Sequence, residues 1–128
     1  HAYPLIGVLA NRFVANRFAL VGDAAVGMHP VTAHGWNLGL SGAVTLASEI
    51  RAARARGEDI GAMGGLLTYE RLHRRKVLPL YHGTNALVRL FTDSSGPARV
   101  MRSAALRLGN VLTPVKRQIE KQLTEMQV

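Results

Sequence analysis

The residues with the most chemistry to offer lie between Gly22 and Gly39. They form the run Gly22-Asp23-Ala24-Ala25, then His29-Pro30, then Gly35-Trp36-Asn37-Leu38-Gly39. Asp23 follows an apolar run and has small neighbours, so a ligand can come close to the backbone. Its carboxylate could accept hydrogen bonds from sugar-type hydroxyls. An acid there also serves simply to cap a turn, and the residues alone leave both readings open. Gly35, Trp36 and Asn37 open a helix, where N–H groups without an intrahelical partner favour negative charge on whatever they face. The plainer alternative is that Asn37 caps the helix and the glycines permit close packing.

Other chemistries find little support. His29 and His34 are five residues apart in a loop with no carboxylate cluster nearby, so no metal site is expected. His73 falls on an apolar helical face, where a hydrogen-bonded core histidine is the expected role. No Ser-His-Asp spacing stands out. With no cysteine in the chain, disulfides and thiolate chemistry are excluded.

The elements that must position these residues follow from periodicity and punctuation. Tyr3 to Leu9 reads as a short apolar strand, and Asn11 to Arg17 as a turn between strands. Phe18 to Val21 is a continuous apolar run of the kind buried on both faces of a parallel sheet, which needs more neighbouring strands than this chain supplies. A helix from Gly35 or Trp36 should run to about Arg56 and stop at Gly57, with Arg51, Arg54 and Arg56 near the negative end of its dipole. A second, long helix should start at Asp59 or a nearby glycine and reach about Phe91. Leu66, Tyr69, His73, Val77, Leu80, Thr84, Leu87 and Phe91 recur every three or four residues along it, which is one helical face. Pro79 should kink it. Asp93 to Pro97 reads as a loop, and Ala98 to Leu108 as a third helix ending at Gly109-Asn110. Thr113-Pro114 caps a last helix with Val115, Ile119, Leu123 and Met126 on one stripe. The expected fold is thus mostly α with a short β segment. Residues 1–56 form a strands-plus-helix part carrying the candidate site, and residues 57–128 a helical region.

The 128 residues are 48% hydrophobic and 19% charged, which fits a folded chain of modest core. Residues 24–48 carry no Asp, Glu, Lys or Arg, but Pro30, Asn37, two histidines and four glycines argue against a membrane span. The net charge of +8 lies wholly in residues 50–128, with fourteen Lys and Arg against six Asp and Glu. A basic helical half suits an anionic membrane surface or an acidic partner, or is a set of solvated helix faces. Nucleic acid is disfavoured, since aromatic residues make up only 5% and no recognition motif is present.

The positions Gly22, Asp23, Ala24, Ala25, His29, Pro30, Gly35, Asn37 and Gly39 resemble the second FAD-binding motif of the aromatic-ring flavoprotein monooxygenases. That group includes p-hydroxybenzoate hydroxylase, and the likeness is greatest to its ubiquinone-biosynthesis hydroxylases. Tyr3-Pro4-Leu5, Tyr69 to Arg75 and the Leu90-Phe91 pair extend it over nearly the whole chain. Carried over by position, the resemblance implies that Gly22 and Asp23 hold the ribityl or phosphate end of FAD. Pro30 would lie beside the isoalloxazine, with its carbonyl bordering the substrate pocket. The backbone at Gly35, Trp36 and Asn37 would meet the flavin pyrimidine edge, where negative charge develops on reduction. The implied reaction is hydroxylation of an electron-rich ring through a flavin C4a-hydroperoxide, with NAD(P)H as electron donor and a lipid quinone precursor as substrate. No catalytic residue is assigned; His29 is the one candidate.

Four positions depart from the pattern. Val26 stands where the family has His, Ala33 and His34 where it has Gly-Gln, and Gly42 where an Asp is expected. The N-terminal strand–Gly-x-Gly-x-x-Gly–helix that such enzymes use for the FAD pyrophosphate is absent, since no two glycines here are separated by one residue. The expectation is therefore a C-terminal part of an α/β FAD/NAD(P)-binding fold. It would be inactive alone, self-associating through uncovered apolar faces and strand edges, and partnered in the parent by the missing N-terminal portion. The expected location is cytoplasmic, with possible peripheral contact at the inner face of the membrane. The rival reading is a basic helical module that binds a membrane or a helical partner without catalysis.

Overall fold

A computed structural model describes residues 6–30 and 35–111. It is mostly helical, with two small antiparallel sheets. The chain divides into two units, His1–Asn85 and Ala86–Val128.

In the first unit, β1 (Val8–Leu9) pairs antiparallel with β4 (Val26–Gly27), Val8 opposite Gly27 and Leu9 opposite Val26. β2 (Val14–Ala15) and β3 (Phe18–Ala19) form a hairpin, Val14 opposite Ala19 and Ala15 opposite Phe18. Within the run Phe18–Val21, Phe18–Ala19 is a strand as expected, but its partner among the described residues is the antiparallel β2. Phe18 and Val21 are 54% and 40% exposed. The expected turn at Asn11–Arg17 contains β2. The reversal itself is tighter, at Asn16-Arg17, and Arg17 takes the left-handed region at φ 55°. Of the strand expected from Tyr3, the structure forms β1; residues 1–5 lie outside the described residues.

The helix α1 (Gly35–Ala55) ends where its sequence says it should. Gly57 has φ 69°, Gly57 N–H donates to Arg54 O and Glu58 N–H to Ala53 O. That is a Schellman closure, which a glycine enters without a Cβ penalty. The next helix, α2 (Met63–Thr92), begins later than expected. Asp59 is used instead in the preceding turn, accepting the Gly61 N–H at 2.9 Å and pairing with Arg17 at 2.6 Å.

One face of α2 builds the core. Leu66, Tyr69, His73, Val77 and Thr84 are buried, joined by Phe13, Val14, Ala25, Val26 and Leu38 from the other elements. Polar groups on α2 then fix the extended segments. Tyr69 donates its hydroxyl to Leu20 O at 2.7 Å, and burial, helped by Glu70, pushes that hydroxyl up to about 12. Glu70 accepts the Phe13 N–H at 3.0 Å and an Arg74 N–H at 2.9 Å. Arg74 reaches on to Asn11 O and lies 4.8 Å over the Phe13 ring. Tyr81 donates to Gly7 O. Two-residue strands hold little pairing energy of their own, so these side-chain bonds from a long helix set where the strands lie.

In the second unit, Leu87 and Phe91 are 45% and 49% exposed, so the periodic face is buried only as far as Thr84. α3 (Gly96–Val111) starts two residues before Ala98 and continues past Gly109-Asn110. Ser95 caps it, its Oγ accepting the Ala98 N–H. The helix expected after Thr113 lies outside the described residues.

Candidate functional site

Asp23 sits in a 3-10 turn, Gly22–Ala24, that opens with Gly22 at φ 61° and closes through Ala25 N–H to Gly22 O at 3.0 Å. Glycine enters that region without the Cβ penalty that other residues meet. β4 follows directly and is held by β1, so the acid projects from a turn fixed on its C-terminal side. On the other flank, α1 packs closely on the turn. A Cβ at Gly39 would lie 3.2 Å from Gly22 Cα, and one at Gly35 would lie 4.0 Å from Asp23 Oδ1. The small residues thus bring a helix start beside a carboxylate.

Between them opens a cavity of about 620 Å³. Gly22, Asp23, His29, Pro30, Gly35 and Trp36 all line it. Asn37 does not; it is exposed and lies within the first turn of α1 rather than capping it. Val21, Met28, Gly39, Leu40 and Ala43 complete the lining. The last three were open to sequence reasoning, because Gly35, Gly39 and Ala43, like Trp36 and Leu40, recur every four residues along one side of a helix.

The cavity combines apolar walls with a few polar groups, the usual make-up of a small-molecule site. Trp36 is 80% exposed at its edge. His29 Nδ1 is buried without a hydrogen-bond partner among the described residues, a state that costs stability until something bonds it. Gly35 and Trp36, at the start of α1 among the described residues, line the cavity opposite Asp23. The site therefore suits a ligand with apolar surface and a few hydrogen-bonding groups that meet Asp23 and His29. Ala33 and His34, two of the departures from the motif, lie outside the described residues.

The other two departures do not line the cavity. Val26 is buried in β4 as part of the core. Gly42 is buried against His73: a Cβ there would meet the imidazole at 2.8 Å. His73 is 1% exposed, stacks on Tyr69 at 5.7 Å between ring centroids, and tilts against Phe13 at 5.8 Å. Its burial, reinforced by Lys76, lowers its pKa and favours the neutral ring. The core role expected of His73 is met in packing, but its Nδ1 has no hydrogen-bond partner among the described residues.

The chain is similar to ubiquinone hydroxylase UbiM of Neisseria meningitidis serogroup C, 55% identical over 124 residues, covering 97% of this chain and 27% of that protein. It is similar to ubiquinone hydroxylase UbiL of Rhodospirillum rubrum, 42% identical over 116 residues, covering 91% and 27%. It is also similar to the mitochondrial ubiquinone biosynthesis monooxygenase COQ6 of Xenopus tropicalis, 36% identical over 118 residues, covering 92% and 25%. The chain spans about a quarter of the length of the curated relatives it matches. No solved structure matches it. The model of the FAD binding domain matches residues 1–78, which include the whole cavity lining and all of α1, and the chain belongs to that family.

Proposed function

We propose that this chain is the C-terminal part of an FAD-dependent monooxygenase that hydroxylates an aromatic ring in ubiquinone biosynthesis. The observation that carries this reading is the gathering of Asp23, His29, Pro30 and the start of α1 on one cavity of about 620 Å³. The names of the relatives supply the reaction class, and FAD follows from the family.

The residues present fit one wall of a flavin site. Asp23 would accept hydrogen bonds from the ribityl hydroxyls, and the N–H groups at Gly35 and Trp36 would meet the pyrimidine edge; Asn37, outside the cavity lining, would contribute no more than its backbone. The helix start then favours negative charge on the ring system. Pro30 would border the substrate pocket through its carbonyl. The buried Nδ1 of His29, without a hydrogen-bond partner among the described residues, would give that border a polar anchor for the ring hydroxyl of a substrate or for the flavin edge. When bound, FAD supplies the oxygen chemistry that places a hydroxyl on an electron-rich ring, with NAD(P)H as the source of electrons. The pyrophosphate-binding glycine loop and the rest of the substrate pocket would come from the remainder of the polypeptide. The 128 residues by themselves should bind FAD weakly.

The test supplies the full polypeptide with FAD, NAD(P)H, labelled dioxygen and a prenylated phenol. The expected product carries one labelled oxygen on the ring. Oxidation of NAD(P)H with no labelled product, or failure to retain FAD, would overturn the assignment.

A further inference from the structure

We infer, on the flavin-site reading above, that His29 makes the cavity selective for a substrate ring bearing a free oxygen, to which its Nε2–H donates a hydrogen bond. His29 lines the cavity and is half-buried. Its Nδ1 is closed off from solvent and has no hydrogen-bond partner among the described residues.

The chain on either side holds the residue in place. His29 follows β4 by two positions, and β4 is paired with β1 and carries Val26 into the core. Met28 lines the same cavity and faces the start of α1, where a Cβ at Gly35 would lie 4.0 Å from Met28 Cβ. Pro30 follows at once and has no N–H of its own to offer the imidazole.

The buried nitrogen decides what the ring presents. A neutral imidazole carries one N–H and one lone pair. A buried N–H without an acceptor is rarer in folded proteins than a buried acceptor without a donor. The lone pair therefore belongs on Nδ1 and the proton on Nε2. Nδ1 is already sealed by this chain, so the rest of the polypeptide has no access to it. Nε2 is the polar atom left for a ligand, and it is a donor.

The two ends of the cavity are then complementary. Asp23, when ionised, only accepts hydrogen bonds and suits a group rich in hydroxyls. His29 donates and suits an oxygen acceptor. Because His29 adjoins Pro30, which the proposed reading sets at the border of the substrate pocket, that oxygen is the substrate's own. A site that donates to a substrate oxygen rejects the analogue lacking it, since the donor is left unpaired away from water.

The experiment uses the full polypeptide with FAD bound, a prenylated phenol, and the analogue with hydrogen in place of the hydroxyl. Calorimetry gives the two dissociation constants. The phenol should bind about ten-fold more tightly than the analogue. His29→Leu should weaken the phenol about ten-fold and leave the analogue within about two-fold. His29→Gln should keep most of the preference, because its amide nitrogen reaches about as far from the backbone as Nε2. Asparagine at this position reaches only as far as Nδ1, so His29→Asn should lose it. Ring-nitrogen NMR of histidine-labelled protein adds a readout free of binding constants. The His29 signal, identified by its loss in His29→Gln, should show the proton on Nε2 and move with the phenol but not with the analogue. Equal binding of the two ligands, a preference that survives His29→Leu, or a proton on Nδ1 would overturn the role of His29 while FAD binding stands. Failure of the unaltered protein to retain FAD would overturn the flavin-site reading and this role with it.

Discussion

Two neighbouring stripes of α1 meet their surroundings at close range, with opposite consequences. On one, Gly39 lets the helix approach the backbone of Gly22, and the result is an open cavity beside Asp23. On the other, Gly42 lets the helix approach a side chain, and the result is a closed core in which the His73 ring fills the space a Cβ would take. The same residue type three positions apart thus serves a ligand site in one direction and packing in the other. A glycine in a helix therefore says that something comes close. What comes close is settled by the element opposite.

The strongest way to break this contrast is at Gly42. Gly42→Ala should lower stability by about 1–3 kcal/mol through overpacking, because the new methyl meets the His73 ring, which is itself wedged against Tyr69 and Phe13. Thermal unfolding measures this, and the cost of Gly42→Ala should be smaller when it is made in a His73→Ala background. A neutral Gly42→Ala would mean that the ring yields freely and the core stripe is not tight.

Gly39→Ala should act differently. Its Cβ would press on backbone at 3.2 Å, so the stability cost sits at the low end of overpacking, about 1 kcal/mol. The turn carrying Asp23 must shift, and FAD affinity of the full polypeptide should fall about ten-fold, or about 1.4 kcal/mol. Flavin fluorescence quenching gives the affinity. Equal losses of FAD affinity in Gly39→Ala and Gly42→Ala would erase the distinction between the stripes.

The smallest effect is a pH dependence from the core side. Burial lowers the pKa of His73 below its ordinary 6.5. Between the lowered folded value and 6.5 the unfolded chain binds more protons than the folded one. The stabilisation is therefore fully present above 6.5, shrinks as pH falls through that window, and levels off below the folded value. Denaturant midpoints taken from pH 8 down to pH 5 should decline, and His73→Gln should flatten that part of the profile.

What the sequence made legible was the part governed by local chemistry. α1 closes at Gly57 because one residue there must take a positive φ. The buried face of α2 from Leu66 to Thr84 follows from its spacing. The cavity-lining residues Gly22, Asp23, Pro30, Gly35 and Trp36 stand out by type and order. The misread parts depend on distant partners. Phe18–Val21 reads as a strand from its four apolar residues, but such a run has no period to say which strand it pairs with. Its true placement rests on Tyr69 holding Leu20 and Glu70 holding Phe13, contacts 49 and 57 residues apart. Gly42, a departure from the family's motif when read along the chain, is explained by His73, 31 positions away.

The most direct measurement is an FAD titration of the full polypeptide carrying Asp23→Ala against the unaltered protein. Asp23 is exposed, so the fold should be unaffected. If its carboxylate holds hydroxyls of the bound cofactor, affinity should fall about ten-fold or more, the worth of a charged hydrogen bond. Unchanged FAD affinity would contradict the account and return Asp23 to the role of a turn residue.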